Sequence, residues 1–257
     1  MRESALSRRN NIRKKGIYVL PNLFTTACLF CGFYSISASV KGLFEPAAVA
    51  ILAAAVLDGL DGRIARMTNT TSKFGGEYDS LSDLVAFGVA PAILMYMWAL
   101  SSYGKWGWLA AFLFVTCGAL RLARFNVQIS LIESKVFNGL PIPAAAVVAA
   151  TGVLLFYYLG GEGKFSNFLV LLGVAALSLL MVSSIKFYSF KDLNFFSRKP
   201  FMSFVLIVVI LTIIAAEPQI MIFTFSVGYS LSGPAWLLAK ASKKAYIDAK
   251  ARRLVLR

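Results

Sequence analysis

The sequence contains no histidine, and only 15% of its 257 residues are charged. The lack of histidine excludes a histidine-based catalytic triad, a histidine zinc site and an imidazole general base, so any acid–base chemistry must use carboxylates. Soluble domains carry about 25% charged and about 45–50% apolar residues, whereas this chain is 58% hydrophobic. The scarcity of charge therefore excludes a soluble globular protein, and the predicted membrane helices leave no room for a large domain outside the bilayer.

Cysteine is also scarce, with three residues at Cys28, Cys31 and Cys117. Cys28 and Cys31 form a C-x-x-C pair, which is a redox motif in some proteins. Here the pair lies inside an apolar run, so we interpret these cysteines as small buried hydrophobic side chains.

Acidic residues are few compared with basic ones, with 12 Asp and Glu against 26 Lys and Arg and a net charge of +14. In a soluble chain such a balance would suggest nucleic acid as the partner. In a membrane chain it indicates basic cytoplasmic loops and attraction to anionic lipid headgroups. We therefore expect membrane lipid, and no nucleic acid, as a partner.

Long hydrophobic runs are abundant. They predict an all-α integral membrane protein, a bundle of about eight transmembrane helices. We divide the chain into a basic cytoplasmic N-terminus (1–16), a transmembrane domain (17–238) and a basic cytoplasmic tail (239–257). The N-terminus resembles the start of a signal peptide but lacks a convincing cleavage site, so the first run is expected to be retained. The predicted helices span residues 17–40, 47–66, 80–101, 106–126, 139–160, 166–187, 201–216 and 218–238.

The positions of the basic residues predict the orientation of the bundle. If both termini are cytoplasmic, all but three of the 26 Lys and Arg residues fall on the cytoplasmic side, the exceptions being Lys41, Lys105 and Lys164. This asymmetry favours a topology with both termini inside and an even number of helices.

Four acidic residues lie close together in the sequence. Asp58 and Asp61 are three residues apart at the end of the second predicted helix, and Asp79 and Asp83 are four residues apart at the start of the third. Each spacing places the pair on one helix face. Because the two helices are expected to be antiparallel neighbours, we expect all four carboxylates to converge at the cytoplasmic end of the bundle.

Such a cluster needs compensation for its mutual repulsion, and hard divalent cations with oxygen ligands are the natural partners. Two ions bridged by shared carboxylates would suit phosphoryl displacement. The alternatives are solvated acids at helix ends and the ion site of a cation transporter, which would lie nearer the middle of the membrane. Small residues nearby, Gly62, Ala65 and Gly75, would give a ligand access, although such residues are also common at helix contacts.

The pattern Asp58-x-x-Asp61-Gly62-x-x-Ala65-Arg66, followed after eight residues by Gly75-x-x-x-Asp79-x-x-x-Asp83, resembles the signature of the CDP-alcohol phosphatidyltransferases at every fixed position. The resemblance implies transfer of a phosphatidyl group from a CDP-linked lipid to an alcohol, with release of CMP. It also implies that Asp58, Asp61 and Asp79 bind divalent metal, Mg²⁺ or Mn²⁺ and two ions in number. Asp83 would lie near or at the metals and act as the base, and Gly62, Ala65 and Arg66 would lie along the CDP moiety.

Three further segments, residues 21–25, 118–126 and 137–144, resemble the branch of the family that uses serine as the acceptor. The resemblance then implies CDP-diacylglycerol and L-serine as substrates, a homodimer, and a bacterial or archaeal cytoplasmic membrane with the active site on the cytoplasmic side. The complete set of expected substrate-binding residues is Asn22, Thr25, Asp61, Gly62, Ala65, Arg66, Ser72, Gly75, Arg121, Arg124 and Asn126.

The chemistry of serine supports this branch in part. Its carboxylate needs a cation, and Arg121 and Arg124, with Asn126 beside them, could supply a guanidinium fork. Both arginines could equally be membrane-boundary anchors or contact phosphate. Glycerol 3-phosphate, inositol phosphate and choline therefore remain open as acceptors.

Overall fold

The computed structural model describes residues 22–68, 72–129, 136–188 and 216–255, together with positions 202, 205, 208 and 212. These residues are predominantly helical, and they form seven continuous helices and one short antiparallel strand pair. The helices are α1 (Asn22–Val40), α2 (Phe44–Thr68), α3 (Lys73–Tyr103), α4 (Lys105–Ile129), α5 (Ile142–Tyr158), α6 (Phe168–Val182) and α7 (Pro218–Val255), and the strands are β1 (Val136–Asn138) and β2 (Lys186–Tyr188).

Four of the described helices are long and apolar enough to cross a membrane. They are α1, α3, α4 over Lys105–Val127 and the Pro218–Leu237 part of α7. Helices α5 and α6 are also apolar but shorter, and positions 202, 205, 208 and 212 of the seventh predicted run are helical. The prediction of a helical membrane bundle is confirmed, while the count of eight and the orientation stay predictions.

Three helix ends differ from the predicted ones by about five residues or more. Helix α3 begins at Lys73 instead of 80 because Ser72 caps it, its Oγ accepting a hydrogen bond from the Gly75 N–H at 2.9 Å. Helix α6 ends at Val182 because the chain then enters β2, which pairs with β1. Helix α7 continues past residue 238 to Val255, and the predicted N-terminal region 1–16 lies outside the described residues.

Helix α3 is wider than an ordinary α-helix in two places, Leu84–Val89 and Tyr96–Leu100, where it has π geometry. Pro91 follows the first wide turn. Proline has no N–H to donate, and its ring clashes with the carbonyl four residues earlier, so a wider preceding turn accommodates it without breaking the helix. Asp83 is the last residue before that turn, and π turns of this kind are frequent at functional sites.

Glycines bring the helices into close contact. A Cβ at Gly32 of α1 would lie 2.7 Å from the Ala86 Cα of α3, and one at Gly118 of α4 would lie 2.6 Å from the Ile142 Cδ1 of α5. Membrane helices commonly associate through such small residues because their backbones can then approach closely. The core between them is rich in alanine, and Cys28 is buried in it as a free thiol.

The strands join two connections that are distant in sequence. In the antiparallel pair, Phe187 of β2 lies opposite Phe137 of β1. Gly139 then turns the chain with φ of +83°, and its N–H donates to the Ile185 carbonyl at 2.9 Å. Only glycine adopts this conformation without strain, so the turn into α5 is fixed against the end of α6.

Candidate active site

Three of the four predicted acids form a compact cluster. One carboxylate oxygen from each of Asp58, Asp61 and Asp79 lies within 4.8 Å of the others. Helix α2 supplies the first two, and α3 supplies the third. Because α3 begins earlier than predicted, Asp79 lies inside the helix, and the two antiparallel helices still bring the pairs together.

Asp61 is held by α1. The Thr25 hydroxyl donates a hydrogen bond to Asp61 Oδ2 at 3.1 Å, and both residues are buried. The Thr25 carbonyl in turn accepts a hydrogen bond from the Ser82 hydroxyl of α3 at 3.1 Å. Thr25 therefore ties the carboxylate on α2 to a neighbouring turn of α3, which fixes the cluster from the side of α1.

Asp83 lies next to the cluster without being one of its three members. Its side chain is within hydrogen-bonding reach of Asp58. Its Oδ1 atom is buried and has no hydrogen-bond partner among the described residues. A buried oxygen of this kind is costly unless a ligand or proton meets it, so Oδ1 of Asp83 is available to a bound cation or to a proton donor.

A positively charged side chain, that of Arg121, also lies at this end of the bundle. Arg121 of α4 is close enough to Asp83 to interact with it electrostatically, and its Nε is buried without a partner in the described structure. One turn earlier, Gly118 allows α4 to pack against Ile142. The motif residues at 118 and 142 thus set the depth at which the guanidinium lies.

The predicted substrate-binding residues near the start of α3 converge. A Cβ at Gly75 would lie 3.1 Å from Ser72 Oγ and 3.4 Å from Asn22 Oδ1. The structure thus brings the beginning of α1 beside the beginning of α3, and the absence of a side chain at Gly75 allows this close approach. The hydroxyl of Ser72 is already used as the helix cap.

The other predicted residues have different surroundings. Asn126 exchanges hydrogen bonds with Ser80, the amide nitrogen donating at 3.0 Å, so it links α4 to α3. Arg124 is half-buried and has no ion-pair partner within the described residues. Gly62 adjoins Asp61, and its backbone is hydrogen-bonded to the Asp61 side chain. The side chains of Ala65 and Arg66 lie outside the described part of the chain.

Sequence reasoning missed several residues that shape the site. Ser82 and Ser80 of α3 bind Thr25 and Asn126, and Tyr229 of α7 is close enough to Arg121 to interact electrostatically. Each serine is adjacent to one of the acids, Asp79 or Asp83, in the sequence, and this adjacency could have indicated that the serines belong to the site. Tyr229 carried none, because it lies far along the chain in a helix without a recognised motif.

The donor set fits a hard divalent cation. Oxygen-only ligands suit Mg²⁺ and Mn²⁺, and the spacing of the three carboxylate oxygens can be bridged by a cation bound about 2.0–2.6 Å from each. A fourth oxygen, Oδ1 of Asp83, is buried beside them without a partner in the described residues. The residues present therefore fit a metal centre.

Residues 18–182 match the sequence pattern that defines the CDP-alcohol phosphatidyltransferase family. The chain is 42% identical to a CDP-diacylglycerol–serine O-phosphatidyltransferase of Helicobacter pylori over 207 residues, which is 79% of this chain and 84% of that protein. It is 37% identical to the enzyme of the same name from Bacillus subtilis, covering 67% and 91% of the two chains. An archaetidylserine synthase of Methanothermobacter thermautotrophicus is 38% identical, covering 69% and 73%.

Proposed function

Because this chain belongs to the CDP-alcohol phosphatidyltransferase family, we propose that it transfers the phosphatidyl group of CDP-diacylglycerol to the hydroxyl of L-serine. The products are phosphatidylserine and CMP. The names of its relatives support serine as the acceptor. The observation that carries the reaction type is the cluster of Asp58, Asp61 and Asp79 with Asp83 beside it.

The protein is an integral membrane protein. We propose eight spans over residues 17–238, with both termini and the basic tail 239–257 in the cytoplasm. The 25 residues of α2 rise about 37 Å, enough to cross a bilayer, and the distribution of Lys and Arg supports the orientation. The acid cluster would then lie on the cytoplasmic side of a bacterial or archaeal membrane, and the family resemblance supports a homodimer.

Members of this family use divalent metals, and we propose that Asp58, Asp61 and Asp79 hold two ions, Mg²⁺ or Mn²⁺, with Asp83 near or at them. Bound there, the ions would neutralise the pyrophosphate of CDP-diacylglycerol and the charge that develops on CMP. Thr25 fixes Asp61 through its hydrogen bond. We propose that the nucleotide lies along Asn22, Ser72 and Gly75, which the structure brings together, and along Gly62, Ala65 and Arg66.

Asp83 is proposed as the general base. Its unpartnered Oδ1 takes the proton of the serine hydroxyl as the serine oxygen forms a bond to the phosphorus of the phosphatidyl group. The bond from that phosphorus to the bridging oxygen breaks, and CMP leaves with the electron pair. No side chain of the described cluster needs to carry the phosphatidyl group, so we propose direct transfer.

Arg121 is proposed to bind the carboxylate of serine. A guanidinium binds a carboxylate through two parallel hydrogen bonds, and Arg121 interacts electrostatically with Asp83, the proposed base. A carboxylate held by Arg121 would keep the serine hydroxyl near Asp83. Arg124 has no ion-pair partner among the described residues, and we propose that it binds the same carboxylate or a lipid phosphate.

The test is CMP release from CDP-diacylglycerol by the purified protein in mixed micelles with Mg²⁺ or Mn²⁺. Serine, glycerol 3-phosphate, inositol phosphate and choline are offered in turn, and the lipid product is identified. We expect serine to give the highest kcat/KM and phosphatidylserine as the product. Preference for another alcohol would refute serine as the acceptor and retain the family chemistry, whereas no CMP release with any alcohol would refute the reaction itself.

A further inference from the structure

Two contacts set the register of the antiparallel helices α3 and α4. Near the acid cluster, the amide nitrogen of Asn126 on α4 donates a hydrogen bond to Ser80 Oγ on α3 at 3.0 Å. Eight residues further along α3, Gly88 meets Gly118, which lies eight residues earlier on α4, and a Cβ at Gly118 would be 3.9 Å from the Gly88 Cα. Because the spacing is the same on both helices, the two contacts define a single register.

A third helix closes the contact between the two glycines. The side chain of Ile142, at the start of α5, is fully buried, and its Cδ1 atom lies 3.6 Å from the position of a Cβ at Gly88 and 2.6 Å from one at Gly118. Ile142 belongs to the segment 137–144, which the proposed reaction does not use. The strand at the start of that segment pairs with β2, so Ile142 is held from outside α3 and α4.

The hydrogen bond at the other contact is also well defined. The Ser80 hydroxyl donates to the Gly76 carbonyl of its own helix at 3.0 Å, which leaves its oxygen to accept the bond from Asn126. The amide oxygen of Asn126 lies 3.3 Å from the same Ser80 Oγ. Both polar atoms of the Asn126 amide therefore face Ser80, although the sequence resemblance suggested Asn126 as a substrate-binding residue.

The proposed base and the proposed acceptor cation lie between these two contacts. Asp83 comes three residues after Ser80, and Arg121 comes three residues after Gly118. Each is one residue from the midpoint of its stretch, which is residue 84 on α3 and residue 122 on α4. The Asp83 Oδ1 and Arg121 Nε atoms are both buried. A slide of α4 by one residue would move Arg121 by about 1.5 Å along the helix axis, so the register sets its depth relative to Asp83.

We propose that Ser80 and Asn126 are positioning residues, whose hydrogen bond holds α4 in the register that keeps Arg121 at the depth of Asp83. Asn126 then acts on the acceptor through Ser80 and does not bind it. This inference rests on the proposed function, in which Arg121 binds the carboxylate of serine. The residues proposed for CDP-diacylglycerol and metal lie on α1, α2, α3 and the connection before α3, so a shift of α4 should affect the acceptor alone.

The experiment compares Ser80→Ala, Asn126→Ala and the double variant with wild type. Each single change should raise KM for serine about two- to tenfold, the effect of losing one ordinary hydrogen bond. The double variant should be no worse than either single one, because both changes break the same bond. KM for CDP-diacylglycerol and the Mn²⁺ concentration for half-maximal activity should stay within about twofold of wild type. The rate with serinol, which lacks the carboxylate, should not change.

Two further variants make the result specific. Ser80→Thr keeps the hydroxyl and should retain the wild-type KM for serine. The matched control, Ser102→Ala, removes a hydroxyl at the other end of α3, where it shares a hydrogen bond with Ser166 at 3.0 Å, and should also leave this KM unchanged. Equal effects of Ser102→Ala and Ser80→Ala, or a rise in the KM of both substrates together, would show a role in stability only and would overturn the inference.

A direct role of Asn126 gives a different result. If Asn126→Ala raises KM for serine while Ser80→Ala does not, Asn126 binds the acceptor itself and the inference is refuted. The wild-type preference for serine is measured first, and if serine is not preferred over the other alcohols, the proposed function fails. If serine is preferred and both single variants have wild-type KM values, the proposed function stands and the positioning role is refuted.

Discussion

The hydrogen bond between Thr25 and Asp61 gives the most direct test of how the metal site is built. Replacement of Thr25 by valine keeps nearly the same shape and removes the hydroxyl that donates to Asp61 Oδ2 at 3.1 Å. The bond is buried, with Thr25 4% exposed and Asp61 5% exposed, so water cannot replace the lost donor. Asp61 would keep its charge and its hydrogen bond to the Gly62 backbone, and it would lose the side-chain donor that holds Oδ2.

The expected loss of metal affinity in Thr25→Val follows from the type of hydrogen bond that is removed. A hydrogen bond to a charged group is worth about 1.5–3 kcal/mol, which corresponds to roughly a ten- to hundredfold change in an equilibrium constant. Loss of groups that orient metal ligands typically weakens metal binding by a similar factor of about 10–100. We therefore expect the Mn²⁺ concentration for half-maximal CMP release to rise about ten- to a hundredfold in Thr25→Val, with much of kcat recovered at saturating metal.

Two control variants make this result specific. Thr25→Ser retains the hydroxyl and should need nearly the wild-type concentration of Mn²⁺. Thr224→Val removes a hydroxyl whose one bond within the described residues is to the Ile220 carbonyl of its own helix, at 2.7 Å, and should behave as wild type. Shifts of thermal unfolding with added Mn²⁺ give an independent measure of binding. A folded Thr25→Val protein with unchanged half-saturation in both assays would refute the role of Thr25 in orienting Asp61.

Three further predictions concern the acids, the packing and the topology. Asp79→Asn should lose activity together with its metal dependence. Asp83→Asn should bind CDP-diacylglycerol and metal nearly normally, while its kcat falls about 10²–10⁴-fold. Equal loss of metal binding in both variants would show that Asp83 is a metal ligand. Gly32→Ala should lower the unfolding temperature because its Cβ would meet the Ala86 backbone at 2.7 Å, at a cost of about 1–3 kcal/mol, while Gly173→Ala, with open space around it, should not. For the topology, single cysteines are introduced next to basic residues and treated from outside with a membrane-impermeant thiol reagent. Cysteines near Lys41, Lys105 and Lys164 should be labelled, and those near Lys73, Lys135, Lys191 and Lys250 should not. Labelling near Lys250 would contradict eight spans.

The sequence was sufficient to predict the acid cluster. Spacings of three and four residues put each pair on one helix face, and short connections make successive helices neighbours. Those two rules were enough to bring Asp58, Asp61 and Asp79 within reach of one cation. The error of seven residues in the start of α3 did not matter, because a helix that starts earlier keeps the same face toward α2.

Long-range packing could not be predicted in the same way. The local sequence pattern does not predict that Thr25 bonds Asp61, or that Asn126 bonds Ser80, because these contacts depend on helix rotation and depth. Rotation is set by close contacts such as Gly118 against Ile142 and by the wide turns of α3, which depart from 3.6 residues per turn. The strand pair was missed because a three-residue segment has no periodicity to detect, and because the first two residues of β2 continue the apolar run that was predicted as the sixth helix.

The pairing of β1 with β2 has a consequence for how the protein is made. The ribosome delivers the chain from its N-terminus, so the acids on α2 and α3 and the arginine on α4 enter the membrane before β2 exists. Only when β2 has emerged can it join β1 and present Phe187, the surface on which Gly233 of α7 docks. Helix α7 is thus the last of the described helices to dock, and a nascent chain stalled before it would already hold the clustered acids without the packing that α7 makes on α5 and β2.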